Sequence, residues 1–196
     1  VKRIVPKNIE CVFVRQADQL GLGHAISCAE RVVGNEPFAV LLADDFLVSE
    51  INTTKALKRA FYKKGKSQLS VIEVEGEEIS NYGVIKTGRT PQDVKELHEK
   101  PSFKDAPSKL ASLGRYILTP EIFKVLQDLP PGVGNEIQLA DAINLLAKRN
   151  KVESVKFSGK RYDCGSVKGY LAAIKDVGES VNMIDKPCGA INCFKA

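Results

Sequence analysis

Phe38 to Leu42 (FAVLL) form a short unbroken apolar run, and one alanine later come two adjacent acids, Asp44 and Asp45. A run of this length and Val/Leu content predicts a strand buried on both faces. Upstream, Cys11–Arg15 (CVFVR) predicts a first strand, and Gly21–Val33 carries Leu22, Ala25, Ile26, Ala29 and Val32 at helical spacing. Gly34-Asn35 is the expected helix stop. Strand, helix, strand in this order predicts a βαβ unit with a right-handed crossover.

Downstream, Ile51–Lys64 predicts a helix with Ala56, Leu57, Ala60 and Phe61 on one face, and Gln68–Glu75 a strand. Tyr82–Thr87 and Val94–Glu99 predict two strands joined through the turn at residues 88–91. A polar loop follows over residues 103–109, then a strand at Leu113–Leu118. Thr119-Pro120 reads as an N-cap with proline at the first helical position. After the Pro/Gly-rich loop of residues 130–134, Asn135–Lys148 is the most regular helical pattern, with Asn135 as cap and Gln138 three residues on. Val152–Phe157 returns as a strand, Tyr162–Gly165 makes a turn, and a last helix runs from Val167 to Val181. The tail beyond Met183 has no periodicity, and no internal repeat is visible.

Composition narrows the class. The 196 residues are 43% hydrophobic and 27% charged, near globular averages. No apolar run approaches the roughly 20 residues of a membrane span. Five cysteines without a CxxC pair fit reduced thiols and a cytoplasmic location better than a disulfide framework. The net charge of +5 is spread along the chain. That balance suits phosphorylated small molecules, whereas nucleic acid would call for a basic stripe with aromatic platforms. The cluster Lys63, Lys64, Lys66 is the one dense basic patch, and it reads as a solvated helix end.

The simplest signatures fail. Gly21-Leu22-Gly23 lacks the third glycine of a dinucleotide fingerprint, since Ile26 stands there. Gly65-Lys66-Ser67 ends like a P-loop, but Ala60 occupies the first glycine position and a strand follows. The two histidines, His24 and His98, are too far apart in sequence to suggest zinc. The acids at Asp44 and Asp45 leave two readings open. At a strand end they could hold Mg²⁺ against phosphate oxygens, or serve as helix cap and turn residues.

As a set, VRQADQLGLGHA, AVLLADD, NYGVI, HEKP, GRYIL, GNEIQLADAI and YDCG resemble the sugar-phosphate nucleotidyltransferase family. Within it they resemble the bacterial UTP–glucose-1-phosphate uridylyltransferases, and the likeness covers nearly everything from Cys11 to Tyr170. The resemblance implies an α/β fold: a Rossmann-like mixed sheet flanked by helices, of the nucleotide-diphospho-sugar transferase type. Residues 1–182 would form the C-terminal two-thirds of that domain, with residues 183–196 unassigned. The family's GxGTRxxP loop, which wraps the triphosphate, has no counterpart here. The likeness therefore implies truncation at the N-terminus, and the 196 residues alone are expected to lack turnover.

Residue by residue, the resemblance makes Gln16 and Gly21 contacts to uracil, and Gly83 and Glu99 contacts to the glucose hydroxyls. Lys100 would hold the phosphate of glucose 1-phosphate, and Asp44 and Asp163 would bind Mg²⁺, with Asp45 secondary. Lys100 and Asp44 would be the catalytic pair. UTP and glucose 1-phosphate are the implied partners, in a homo-oligomer (dimer or tetramer) of the intact enzyme, with no nucleic acid and no membrane. A thymidylyltransferase of the same fold, or a non-catalytic regulatory paralogue, are the alternatives.

Overall fold

The computed structural model describes residues 9–180. Its frame is a six-stranded mixed sheet. The strands are β1 (Phe38–Leu41), β3 (Ser67–Glu73), β4 (Gly83–Thr87), β5 (Val94–Glu99), β6 (Leu110–Leu118) and β7 (Val152–Lys156). The hydrogen-bonded order is β5-β4-β6-β3-β7, with β1 also paired to β6. Only the β3–β7 pair is parallel. A separate two-stranded ribbon joins β2 (Asp45–Val48) to β8 (Lys160–Asp163).

The helices are α1 (Gly21–Cys28), α2 (Glu30–Val33), α3 (Thr53–Lys64), α4 (Glu121–Asp128), α5 (Leu139–Lys148) and α6 (Val167–Ser180). The main core joins Ile26 of α1, Phe123 and Leu126 of α4, and Ile143 and Leu146 of α5 to Leu69, Val71 and Ile85 of the sheet. α3 packs on β3, β6 and β7, with Leu57 buried. Its N-terminus is capped by Asn52, which accepts from the Lys55 N–H at 2.9 Å. It ends on left-handed Gly65, with Lys63 and Lys64 in the last turn as their charges favour.

β6 is the spine. Along one edge it pairs with β3; along the other, β4 meets it at Ala111 and β1 at Arg115–Leu118. Residues 112–114 lie in the gap between β4 and β1. A split edge of this kind leaves an opening at the end of the sheet.

Several sequence expectations are corrected. Cys11–Arg15 forms no strand: Val12 and Val14 are exposed, Phe13 is 94% exposed, and no described segment pairs with them. An apolar stretch becomes a strand only when a neighbour takes its hydrogen bonds. The βαβ unit is therefore absent among the described residues, and β1 runs antiparallel to β6. Nor is β1 buried on both faces; its residues alternate, with Leu41 54% exposed. The first helical pattern is broken at Ala29 into α1 and α2, although Gly34 closes α2 as expected.

Thr119 does not cap α4. Its N–H donates to Ser67 Oγ at 3.1 Å, tying β6 to β3, and Pro120 takes the cap position. α5 starts at Leu139, four residues later than the pattern suggests. Gly134 and Asn135 turn left-handed (φ 72° and 59°), and the Ile137 N–H donates to Leu20 O at 2.8 Å, which holds that stretch extended. The last helix is followed here to Ser180, so its expected end at Val181 and the tail lie outside the described residues.

Candidate functional site

At the gap in the β6 edge opens a cleft of about 390 Å³. Asp44, Gly83, Glu99, Lys100 and Asp163 all line it. These five come from four separated stretches of chain, and the folding of the sheet and ribbon brings them to one place.

The acid pair is built by the ribbon. Asp44 directly precedes β2 and Asp163 ends β8, opposite Asp45 in the antiparallel register. The Cys164 N–H donates to Asp44 O at 2.7 Å, locking the two ends side by side. The place a Cβ would take on Gly165 lies 3.2 Å from Asp163 Oδ1 and 3.3 Å from Asp44 Oδ2, so both carboxylates face one point. The sum of those two distances bounds their separation. Both residues are exposed, and among the described residues neither forms an ion pair. Asp163 Oδ1 also accepts from the Gly165 N–H at 3.2 Å. Two carboxylates without an ion-pair partner that face one point suit a hard divalent cation that keeps water and phosphate as its other ligands.

Asp45 has a different task. It is 4% exposed, and its oxygens accept from the Gly114 N–H and from Arg161 Nε, each at 2.5 Å. Both oxygens are therefore engaged, and the neighbouring Asp44 is the one free to bind a ligand. Arg161 also donates from Nη1 to the Tyr82 hydroxyl at 2.8 Å and lies 4.8 Å from the centre of that ring. Burial is the largest single influence on Arg161 and works against its charge, but Asp45, Tyr82 and Asp163 together outweigh it and the guanidinium pKa is raised.

On the opposite wall, Gly83 and Glu99 are register partners at the ends of β4 and β5. A Cβ on Gly83 would lie 3.3 Å from Glu99 Oε2, so the absence of a side chain there keeps the carboxylate accessible. Lys100 follows with φ 44°, and its N–H donates to Tyr82 O at 3.1 Å. β5 is held from α5: Asn144 accepts from the Leu97 N–H at 2.6 Å and donates to Leu97 O at 2.8 Å. Thus α5, through the residue that directly follows GNEIQLADAI, sets the edge strand that ends at Glu99 and leads into Lys100. Tyr116 lines the floor, where burial pushes its hydroxyl up to about 12 and keeps it neutral.

Gln16 and Gly21 do not line the cleft; they sit together at the start of α1, whose Leu22 does. Gln16 Nε2 donates to Gly21 O at 3.1 Å and lies 3.0 Å from His24 Nδ1. Gly21 has φ 91°, and a Cβ there would lie 2.9 Å from Glu136 Cβ, so glycine is required by backbone and neighbour alike. Sequence reasoning missed Arg161 and Tyr82. The one available signal was the alternation in Arg161-Tyr162-Asp163, which puts Arg161 and Asp163 on one face of a strand.

The nucleotidyl transferase family model matches residues 2–180. A UTP–glucose-1-phosphate uridylyltransferase of Haemophilus influenzae is 40% identical over 190 residues, covering 91% of this chain and 64% of that protein. A crystal structure of a UDP-glucose pyrophosphorylase complexed with UDP-glucose is 45% identical with a TM-score of 0.81, over 86% of this chain and 66% of the other. A UTP-bound enzyme of the same kind from Acinetobacter baumannii is 32% identical with a TM-score of 0.83, over 95% and 69%. The chain spans less than two thirds of the length of the curated relatives it matches.

Proposed function

The chain belongs to the nucleotidyl transferase family, and on that premise we propose that its intact gene product transfers the uridylyl group of UTP to glucose 1-phosphate, releasing pyrophosphate. One observation carries the reading. A single cleft gathers an open acid pair, Asp44 and Asp163, and a lysine with no acid partner among the described residues, Lys100. Relatives of the same shape are described with UTP and with UDP-glucose bound.

In this reading a phosphate oxygen of glucose 1-phosphate attacks the α-phosphorus of UTP in line, and the bond to the β,γ-pyrophosphate breaks. The nucleophile is already anionic at neutral pH, so no general base is needed. Positioning and neutralisation of charge supply the acceleration. Lys100 supplies a positive charge to the sugar phosphate, while Glu99 accepts from glucose hydroxyls beside the open backbone at Gly83. Gln16 and Gly21 stand toward the uracil end. Asp44 and Asp163 would hold Mg²⁺, which when bound screens the α-phosphate from the incoming anion. Cys11, Cys28 and Cys164 form no disulfide among the described residues, which favours a cytoplasmic enzyme acting on soluble phosphates. No helix among the described residues is long and apolar enough to cross a membrane.

The experiment is pyrophosphate release by the intact gene product with UTP, glucose 1-phosphate and Mg²⁺. Release that needs all three is the expected result. No release with any sugar 1-phosphate would overturn the proposal.

A further inference from the structure

The two acids that face one point in the cleft hang from a ribbon that is not part of the main sheet. A two-stranded ribbon is marginally stable by itself in water. Something must fix its position, because a small swing of β8 would move Asp163 relative to the wall that carries Glu99 and Lys100.

We infer that Arg161 is a positioning residue for the Asp44–Asp163 pair, acting as a latch between the ribbon and the two walls of the cleft. Its side chain leaves β8 on the same face as Asp163, two residues on. From there Nε donates to Asp45, the first residue of β2, and Nη1 donates to Tyr82, the residue before β4. The other Asp45 oxygen is fixed by the Gly114 N–H in the gap of β6. Tyr82 in turn receives the Lys100 N–H on its carbonyl. Arg161 thus joins the acid-bearing ribbon, the spine of the sheet and the turn that presents Lys100.

The chemistry of the pair demands this residue type. The Arg161 and Asp45 side chains are 19% and 5% exposed, so their charges are tolerated only because each meets the other. A planar guanidinium donates in two fixed directions at once; an ammonium in its place is a point charge without that fork. Groups that orient metal ligands from behind commonly change metal affinity about 10- to 100-fold when removed.

The inference rests on the proposed reading of Asp44 and Asp163 as a cation site, and the test keeps the two apart. Mn²⁺ alone serves as the probe, titrated by electron paramagnetic resonance against the intact gene product and against Arg161→Lys, Arg161→Gln and Tyr82→Phe. Circular dichroism melts show which variants are folded at the assay temperature. Folded Arg161→Lys and Arg161→Gln are expected to bind Mn²⁺ at least about 10-fold more weakly, with no rescue by lysine. Tyr82→Phe, which keeps the ring and loses the hydroxyl that accepts from Arg161 and donates to exposed Glu78, is expected to lose about 2- to 3-fold. Folded Arg161 variants with wild-type Mn²⁺ affinity would overturn the latch, whatever their melting points. If neither Arg161 variant folds, Tyr82→Phe decides by the same reading, and unchanged affinity there overturns it. Wild-type protein that takes up no Mn²⁺ would overturn it too, since there would be no site to position. Mn²⁺ binding without UDP-glucose synthesis would instead remove the proposed reaction and leave the latch standing.

Discussion

Replacing Lys100 by glycine separates what its side chain does from what its backbone costs. Lys100 sits at φ 44°, in the left-handed region, on an exposed turn. An L-residue there costs about 1–2 kcal/mol of local strain, which glycine does not incur. Glycine also gains freedom in the unfolded chain, which offsets part of that relief by about 0.4–1 kcal/mol. Lys100→Gly should therefore melt no lower than Lys100→Ala. Function should move the other way. A charge-assisted hydrogen bond to a phosphate contributes about 1.5–3 kcal/mol, which at about 1.4 kcal/mol per tenfold is a loss of about 10- to 150-fold. The loss should fall on kcat/KM for glucose 1-phosphate at saturating UTP, with UTP affinity nearly unchanged. The assay is initial-rate pyrophosphate release with each substrate varied in turn, beside thermal melts of both variants. Lys100→Gly with kcat/KM for glucose 1-phosphate within twofold of wild type would refute the phosphate role and leave Lys100 a strained turn residue.

Other expectations are as direct. Gly23→Ala should destabilise the fold by about 1–3 kcal/mol in denaturant titration, because its Cβ would lie 2.6 Å from Ile137 O and 2.8 Å from Leu126 Cδ2. Tyr116 is held neutral by burial up to about 12 against an ordinary 10.0. The unfolded chain therefore loses that proton first as pH rises. The associated stability is complete below pH 10 and declines toward pH 12, so Tyr116→Phe should show a shallower fall between those values in denaturant midpoints. Gln16→Leu should narrow discrimination between UTP and CTP in competition assays. Gln16 Nε2 donates to Gly21 O and lies beside His24 Nδ1, which leaves Oε1 to accept from the uracil N–H.

Much of the cleft's lining was legible, because the residues that the resemblance singles out come together when the chain folds. Asp44, Gly83, Glu99, Lys100 and Asp163 were all named from sequence, and one cleft receives all five. The ribbon that carries two of them was not visible. β2 and β8 are four residues each, and their apolar residues only partly alternate, so neither stands out from a turn. Local pattern alone did not say which of two adjacent aspartates is free; only the resemblance singled out Asp44, and the physical reason lies in Gly114 and Arg161, far along the chain. The displaced start of α5 has the same origin. Asn135 looks like a cap, but the hydrogen bond from Ile137 to Leu20 is a tertiary contact that no local pattern encodes. At Cys11–Arg15 an apolar stretch found no partner strand among the described residues. Periodicity marks where a strand is able to form, while pairing decides whether it does.

The central claim is that the acid pair and the lysine of this cleft serve uridylyl transfer to a sugar phosphate. It is tested most directly by offering the intact gene product equal UTP and dTTP with glucose 1-phosphate and Mg²⁺, then weighing the products by mass spectrometry. UDP-glucose as the dominant product of the wild type, with nucleotide sugar reduced at least about 10-fold in Asp163→Asn, is the predicted result. A wild type that makes no nucleotide sugar, or an Asp163→Asn variant as productive as the wild type, would contradict it.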